Sequence, residues 1–154
     1  MSERAASRGE RGPLRLSRSR RLTLYVTFAG VWITGVLWLI YHYFLQTEGP
    51  FGFQNNPLEK TWLQFHAAFS FVAIGLFGML WAIHIVRGWN MNWRRWSGGT
   101  MVGVMVVLTI SGYALYYVES QELDDITSVV HWSVGLAALG VFLIHWLSKS
   151  RPST

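Results

Sequence analysis

The chain has 154 residues, 51% of them hydrophobic, a formal net charge of +5 and no cysteine. The lack of thiols excludes iron–sulfur clusters, thiolate-ligated haem, covalently attached c-type haem and disulfides, and leaves non-covalent cofactors held by histidine. A soluble domain is excluded by the charge pattern: residues 22–45, 61–86, 97–118 and 126–148 contain no Asp, Glu, Lys or Arg, and each run is long enough to cross about 30 Å of hydrocarbon. Because backbone groups in lipid must be satisfied within the segment, the reading is an all-α, four-transmembrane-helix bundle.

Residues 1–21 are rich in Arg, Ser and Gly and read as a disordered, basic cytoplasmic tail. The run Ser19-Arg20-Arg21-Leu22 faintly resembles a twin-arginine export signal. The apolar stretch that follows is too long for a signal core and lacks a small-residue cleavage site, so a basic anchor for an uncleaved helix is the better account. The first span, 22–45, ends in Trp38, Tyr41, His42, Tyr43 and Phe44, an aromatic cluster of the kind that marks a membrane–water interface. At that rim His42 reads more readily as solvated or headgroup-facing than as a ligand. The segment 46–60 holds two Gly, two Pro and two Asn; it is expected to be irregular and external, and is the best docking place for a partner.

The second span, 61–86, carries His66 and His84. Their separation of eighteen residues is five helical turns and places both on one face, which Gly75 and Gly78 are expected to thin. The connection 87–96 is basic and aromatic, and Arg87, Trp89, Asn90, Asn92 and Trp93 form either a quinone-binding lining or an interfacial anchor. The third span, 97–118, has no histidine, but Gly98, Gly99, Gly103 and Gly112 permit close approach of neighbours. Residues 119–125 hold four acids, and the fourth span, 126–148, carries His131 and His145. Fourteen residues fall about 40° short of four turns, so these two imidazoles also share a face, about 21 Å apart along the axis. A short cytoplasmic tail, 149–154, closes the chain.

Charge orients the bundle. Of thirteen Lys and Arg, seven precede the first span, three lie between the second and third, and two follow the fourth; only Lys60 falls on the other side. Six of the eight acids accompany it there. By the positive-inside rule both termini are cytoplasmic. The pI near 10 therefore reflects topology and an anionic lipid surface, not nucleic acid.

With that orientation, His66 and His131 each lie five residues in from the outer start of their span, and His84 and His145 lie two to three residues from the inner end. The second and fourth spans run parallel, so four histidines make two level pairs. A lone intramembrane histidine is more often a hydrogen-bonded packing residue than a ligand; two level pairs, each on one face, are far harder to reach by chance. Facing imidazoles suit the axial positions of haem iron, whereas zinc needs more protein ligands than either level offers. Gly75, Gly78, Gly135 and Gly140 are expected to leave room for the flat ring, and Arg87, Arg94, Arg95 and Lys149 to neutralise propionates of the inner haem. The axial separation is about 27 Å on the second span against about 21 Å on the fourth; helix tilt absorbs part of the difference, or His42 replaces His66 as outer ligand.

In these residues the chain resembles the bacterial four-helix di-haem b cytochromes: the cytochrome b561 type and the cytochrome b subunits of formate dehydrogenase and nickel–iron hydrogenase. The histidines fourteen residues apart on the last span, His131 and His145, carry the resemblance, with His84 standing where the formate dehydrogenase type uses an inner histidine of the first span. The resemblance implies a bacterial cytoplasmic-membrane protein whose residues 22–148 bind two b haems axially through His66, His131, His84 and His145. Its implied function is electron transfer between membrane quinone and a periplasmic redox protein or catalytic subunit, within a larger complex or a homo-oligomer. Two alternatives stand beside it. One is a stand-alone quinone-linked oxidoreductase of the superoxide-oxidase kind, working at the outer haem; the other is a histidine-lined metal-binding membrane protein.

Overall fold

The computed structural model of the chain describes residues 18–50, 52–90 and 95–147. The tail residues 1–17 and 148–154, and the expectations placed on Arg94, Asn92 and Trp93, lie outside the described residues. Helix α1 spans Arg18–Tyr43, and a short antiparallel hairpin follows, β1 (Thr47–Gly49) paired with β2 (Gly52–Gln54). Helix α2, Pro57–Leu80, runs through a π-helical turn, Trp81–Ile85, into the short α3, Val86–Asn90. Helices α4 (Arg95–Ala114) and α5 (Gln121–Leu147) complete the fold. Four of these helices, α1, α2, α4 and α5, are long and apolar enough to cross a membrane.

The helix ends differ from the uncharged runs because charge does not terminate a helix. Helix α2 begins at Pro57, earlier than residue 61, since Asn56 caps it: its side chain accepts from the Leu58 amide at 3.0 Å. Proline at the first helical position loses no hydrogen bond there and starts with its φ already helical. Helix α5 begins at Gln121, five residues before the uncharged run, with Glu122 and Asp124 in its first turn, where carboxylates meet the positive end of the helix dipole. The hairpin gives part of segment 46–60 regular structure, closing with Gly52 at φ +113°, a conformation that favours glycine.

The helices pack as two antiparallel pairs, α1 on α2 and α4 on α5, joined where α1 also meets α5. The Phe69 ring lies against Gly30, where a Cβ would meet its Cε1 at 2.6 Å, and so lets α1 and α2 close together. Tyr25 packs edge-on against Phe142 across the α1–α5 seam, ring centroids 6.2 Å apart. Among the described residues no extensive backbone approach joins α2 to α5. The apolar surface points outward: Phe71 is 77% exposed and Ile144 64% exposed. Such a face is costly in water and at home in lipid. Within the described residues the buried set is small: Leu24, Ala73 and Met105 among the hydrophobics, and Thr27, Thr34, Glu59 and Ser111 among the polar residues. Hydroxyls inside the spans are committed to the preceding turn, Thr34 donating to the Gly30 carbonyl at 2.6 Å and Thr109 to Met105 at 2.8 Å.

Candidate cofactor site

The space between the two helix pairs is bridged at one level by imidazoles. His66 on α2 and His131 on α5 face each other with ring centroids 6.2 Å apart and planes at 89°. Two imidazole nitrogens, each about 2 Å from a shared metal, put ring centroids about 6 Å apart. The pair therefore has the spacing of two axial ligands on one ion.

Each ring is held from behind by the helix paired with its own. The Val31 carbonyl on α1 accepts the Nδ1 proton of His66 at 3.0 Å, because a carbonyl oxygen has no proton to give. On the other side, the Ser111 hydroxyl donates to the Val107 carbonyl at 2.7 Å and lies 2.9 Å from His131 Nδ1. With its proton committed, Ser111 accepts from Nδ1–H. Both neutral rings therefore carry the proton on Nδ1 and keep the Nε2 lone pair, the tautomer of a metal-ligating histidine with its second nitrogen hydrogen-bonded.

Glycine makes the rings fit. A Cβ at position 35 would stand 3.0 Å from His66 Cε1, and one at position 112 would stand 3.1 Å from His131 Cε1. Each ring thus approaches the neighbouring helix closely at a glycine, where a side chain would crowd it.

Further along the α4–α5 seam the same arrangement recurs. His145 Nδ1 lies 3.2 Å from the Ser97 hydroxyl, and a Cβ at Gly98 would sit 3.8 Å from His145 Cε1. Helix α4 thus offers a Ser-Gly step twice, at 97–98 and 111–112, fourteen residues apart. That is the spacing of His131 and His145 on the antiparallel α5. Reading α4 for small hydroxyls at the histidine spacing finds this support; glycine spacing alone does not.

His84 stands differently. It lies in the π-helical turn, is exposed, and makes no hydrogen bond or ring contact among the described residues. The wider turn breaks the simple five-turn phase between His66 and His84. The structure brings His66 to His131 and does not bring His84 into ring contact with His145. Gly75, Gly78 and Gly140 face open space, with nothing within 4 Å of an added Cβ. Nine residues separate Gly75 from His66 and Gly140 from His131, which places each glycine about 180° around its helix from that histidine. Arg87 is exposed on α3, and Arg95 donates twice to the Trp89 carbonyl, at 3.0 and 2.8 Å. His42 makes its contacts elsewhere: its Nδ1 is 2.8 Å from Glu59 Oε1 and its ring stacks on Trp38.

Among the described residues no three His, Asp or Glu side chains gather into a metal site. A two-histidine level suits an ion whose remaining ligands come with it, as a porphyrin's nitrogens do, better than zinc, which takes three or four from the protein. No family model matches the chain, nor does any curated protein or solved structure.

Proposed function

We propose that this chain is a transmembrane electron carrier that holds two b haems, one between His66 and His131 and one served by His145 and His84, with both termini cytoplasmic. The observation that supports this best is the 6.2 Å opposition of His66 and His131, each with Nδ1 bonded and Nε2 left as a lone pair. Bound haem would supply one-electron redox chemistry; the protein supplies ligation, spacing and exclusion of water. His145, braced by Ser97 and Gly98, anchors the second level. His84, in the π-helical turn, would be its second ligand; such turns recur at functional positions in helices.

The lysine and arginine distribution supports the orientation, with the hairpin end outward. The hairpin and the acidic turn at the start of α5 then face the outer compartment, where a soluble redox partner docks, and quinone is the membrane-phase reactant. The test is electron transfer across a bilayer. Protein in liposomes loaded with ferricyanide should reduce it when a hydroquinone is added outside. Protein-free liposomes, and liposomes with the His66→Ala protein, should not. Transfer no faster than in empty liposomes contradicts the proposal, and turnover with oxygen or superoxide but no transfer across the bilayer would favour a stand-alone oxidoreductase.

A further inference from the structure

Glu59 is the one charged residue buried among the described residues, 9% exposed, and it lies in the first turn of α2 at the hairpin end. Its Oε1 is 2.8 Å from His42 Nδ1 on α1, and its Oε2 is buried with no hydrogen-bond partner. A carboxylate beside a membrane span is costly unless it is paired and used. His42 is itself clamped, stacked on Trp38 at 4.8 Å with planes 18° apart and met edge-on by Tyr43 at 4.6 Å. The indole nitrogens of Trp38 and Trp62 are buried without partners. One unpaired acceptor and two unpaired donors therefore collect along the same seam.

The seam leads to the imidazole pair. Glu59 and His66 are seven residues apart on α2, and Gly35 and His42 are seven apart on α1. Seven residues are close to two turns, so the dyad sits on the same seam as His66, about 10 Å along the helix axes. Trp38 and Trp62 occupy the turns between.

We infer that Glu59 and His42 form the proton-accepting site for a hydroquinone oxidised at the His66–His131 level, an assignment that rests on the haem reading above. A hydroquinone becomes a quinone by losing two electrons and two protons. The haem that His66 and His131 would hold would supply a one-electron acceptor, so the two electrons would leave one at a time, the first passing on before the second is taken up. Each proton passes in turn to Oε2 of the Glu59 carboxylate, which has no hydrogen-bond partner, and leaves through His42. The side chains order the path: 12% of Glu59 is exposed against 33% of His42, so the imidazole is the solvent-side member. The other titratable groups at this end, Tyr41, Tyr43, Glu48, Lys60, Tyr113, Tyr116, Tyr117, Glu119, Glu122, Asp124 and Asp125, make no hydrogen bond or ion pair with the dyad.

The experiment uses the purified, haem-loaded full chain. Haem reduction by decylubiquinol is followed across pH in the wild type, Glu59→Gln, Glu59→Asp and His42→Asn, with dithionite reduction and haem content as controls. The inference expects Glu59→Gln and His42→Asn to slow reduction by hydroquinone at least tenfold and flatten its pH profile. Glu59→Asp should recover part of the rate, and haem content and dithionite reduction should stay at wild-type levels. Redox-difference infrared spectra should show a carboxyl C=O band in the wild type that is absent in Glu59→Gln. Haem-loaded Glu59→Gln and His42→Asn proteins with wild-type rates, pH profiles and carboxyl band overturn the inference and leave the haem reading standing. Wild-type protein that binds no haem overturns both.

Discussion

Ser111 accepts the Nδ1 proton of His131 at 2.9 Å because its own proton is committed to the Val107 carbonyl at 2.7 Å. This relationship fixes the tautomer and rotation of a ring inside a membrane span, where water is not available to do so. Ser111→Ala leaves a buried N–H without an acceptor. Loss of such a partner beside a metal ligand lowers metal-site affinity about 10- to 100-fold. Haem transfer to an apo-globin acceptor measures it, and Ser97→Ala should act in the same way on the haem at His145. Unchanged retention would mean that the hydroxyls only cap their own helices.

The glycines divide into two groups with opposite expectations. Gly35→Val and Gly112→Val put branched side chains where even a Cβ would stand 3.0 to 3.1 Å from an imidazole carbon. Each should displace its ring and release the haem at the His66–His131 level. Gly75→Ala, Gly78→Ala and Gly140→Ala meet nothing and remove a poor helix former, worth about 1 kcal/mol in a water-exposed helix. Haem content should hold and the Tm should stay level or rise. Haem loss in the second group would place the ring against those glycines, as the sequence reading expected.

Single-ligand variants separate the two levels. His66→Ala and His131→Ala should each remove one haem of two, and His145→Ala should remove the other. His84→Ala should also weaken the second level without touching the first. His42→Ala should keep both haems, since the ring that stands opposite His131 is that of His66. Haem loss in His42→Ala together with retention in His66→Ala would make His42 the outer ligand.

Orientation is tested by reporters. A fluorescent protein fused after residue 154 should fold and fluoresce in bacterial cells, and an alkaline phosphatase inserted between residues 119 and 120 should be active. The reverse pattern would put the hairpin end in the cytoplasm and move any partner to the other side.

Much of this arrangement is legible in the sequence. Four uncharged runs mark the spans, and equal depth singles out His66 with His131, which the structure brings together. Three features escape that reading for physical reasons. Counting charge stops α2 short of Glu59, because a span detector treats an acid as solvent, whereas a cap at Asn56 and Pro57 continues the helix through it. Ideal helical phase carries His84 onto the face of His66, and no residue between them advertises the π-helical turn at Trp81–Ile85. The hydroxyls of Ser97 and Ser111 look like ordinary small residues until the fourteen-residue spacing of α4 is laid antiparallel on that of α5.

The most direct measurement is the pyridine haemochrome spectrum of the purified chain, calibrated against protein concentration. The account expects a b-type spectrum with two haems per chain, falling to one in His131→Ala. A chain that carries no haem when produced in haem-sufficient cells, or whose haem content is the same with and without His131, would contradict it.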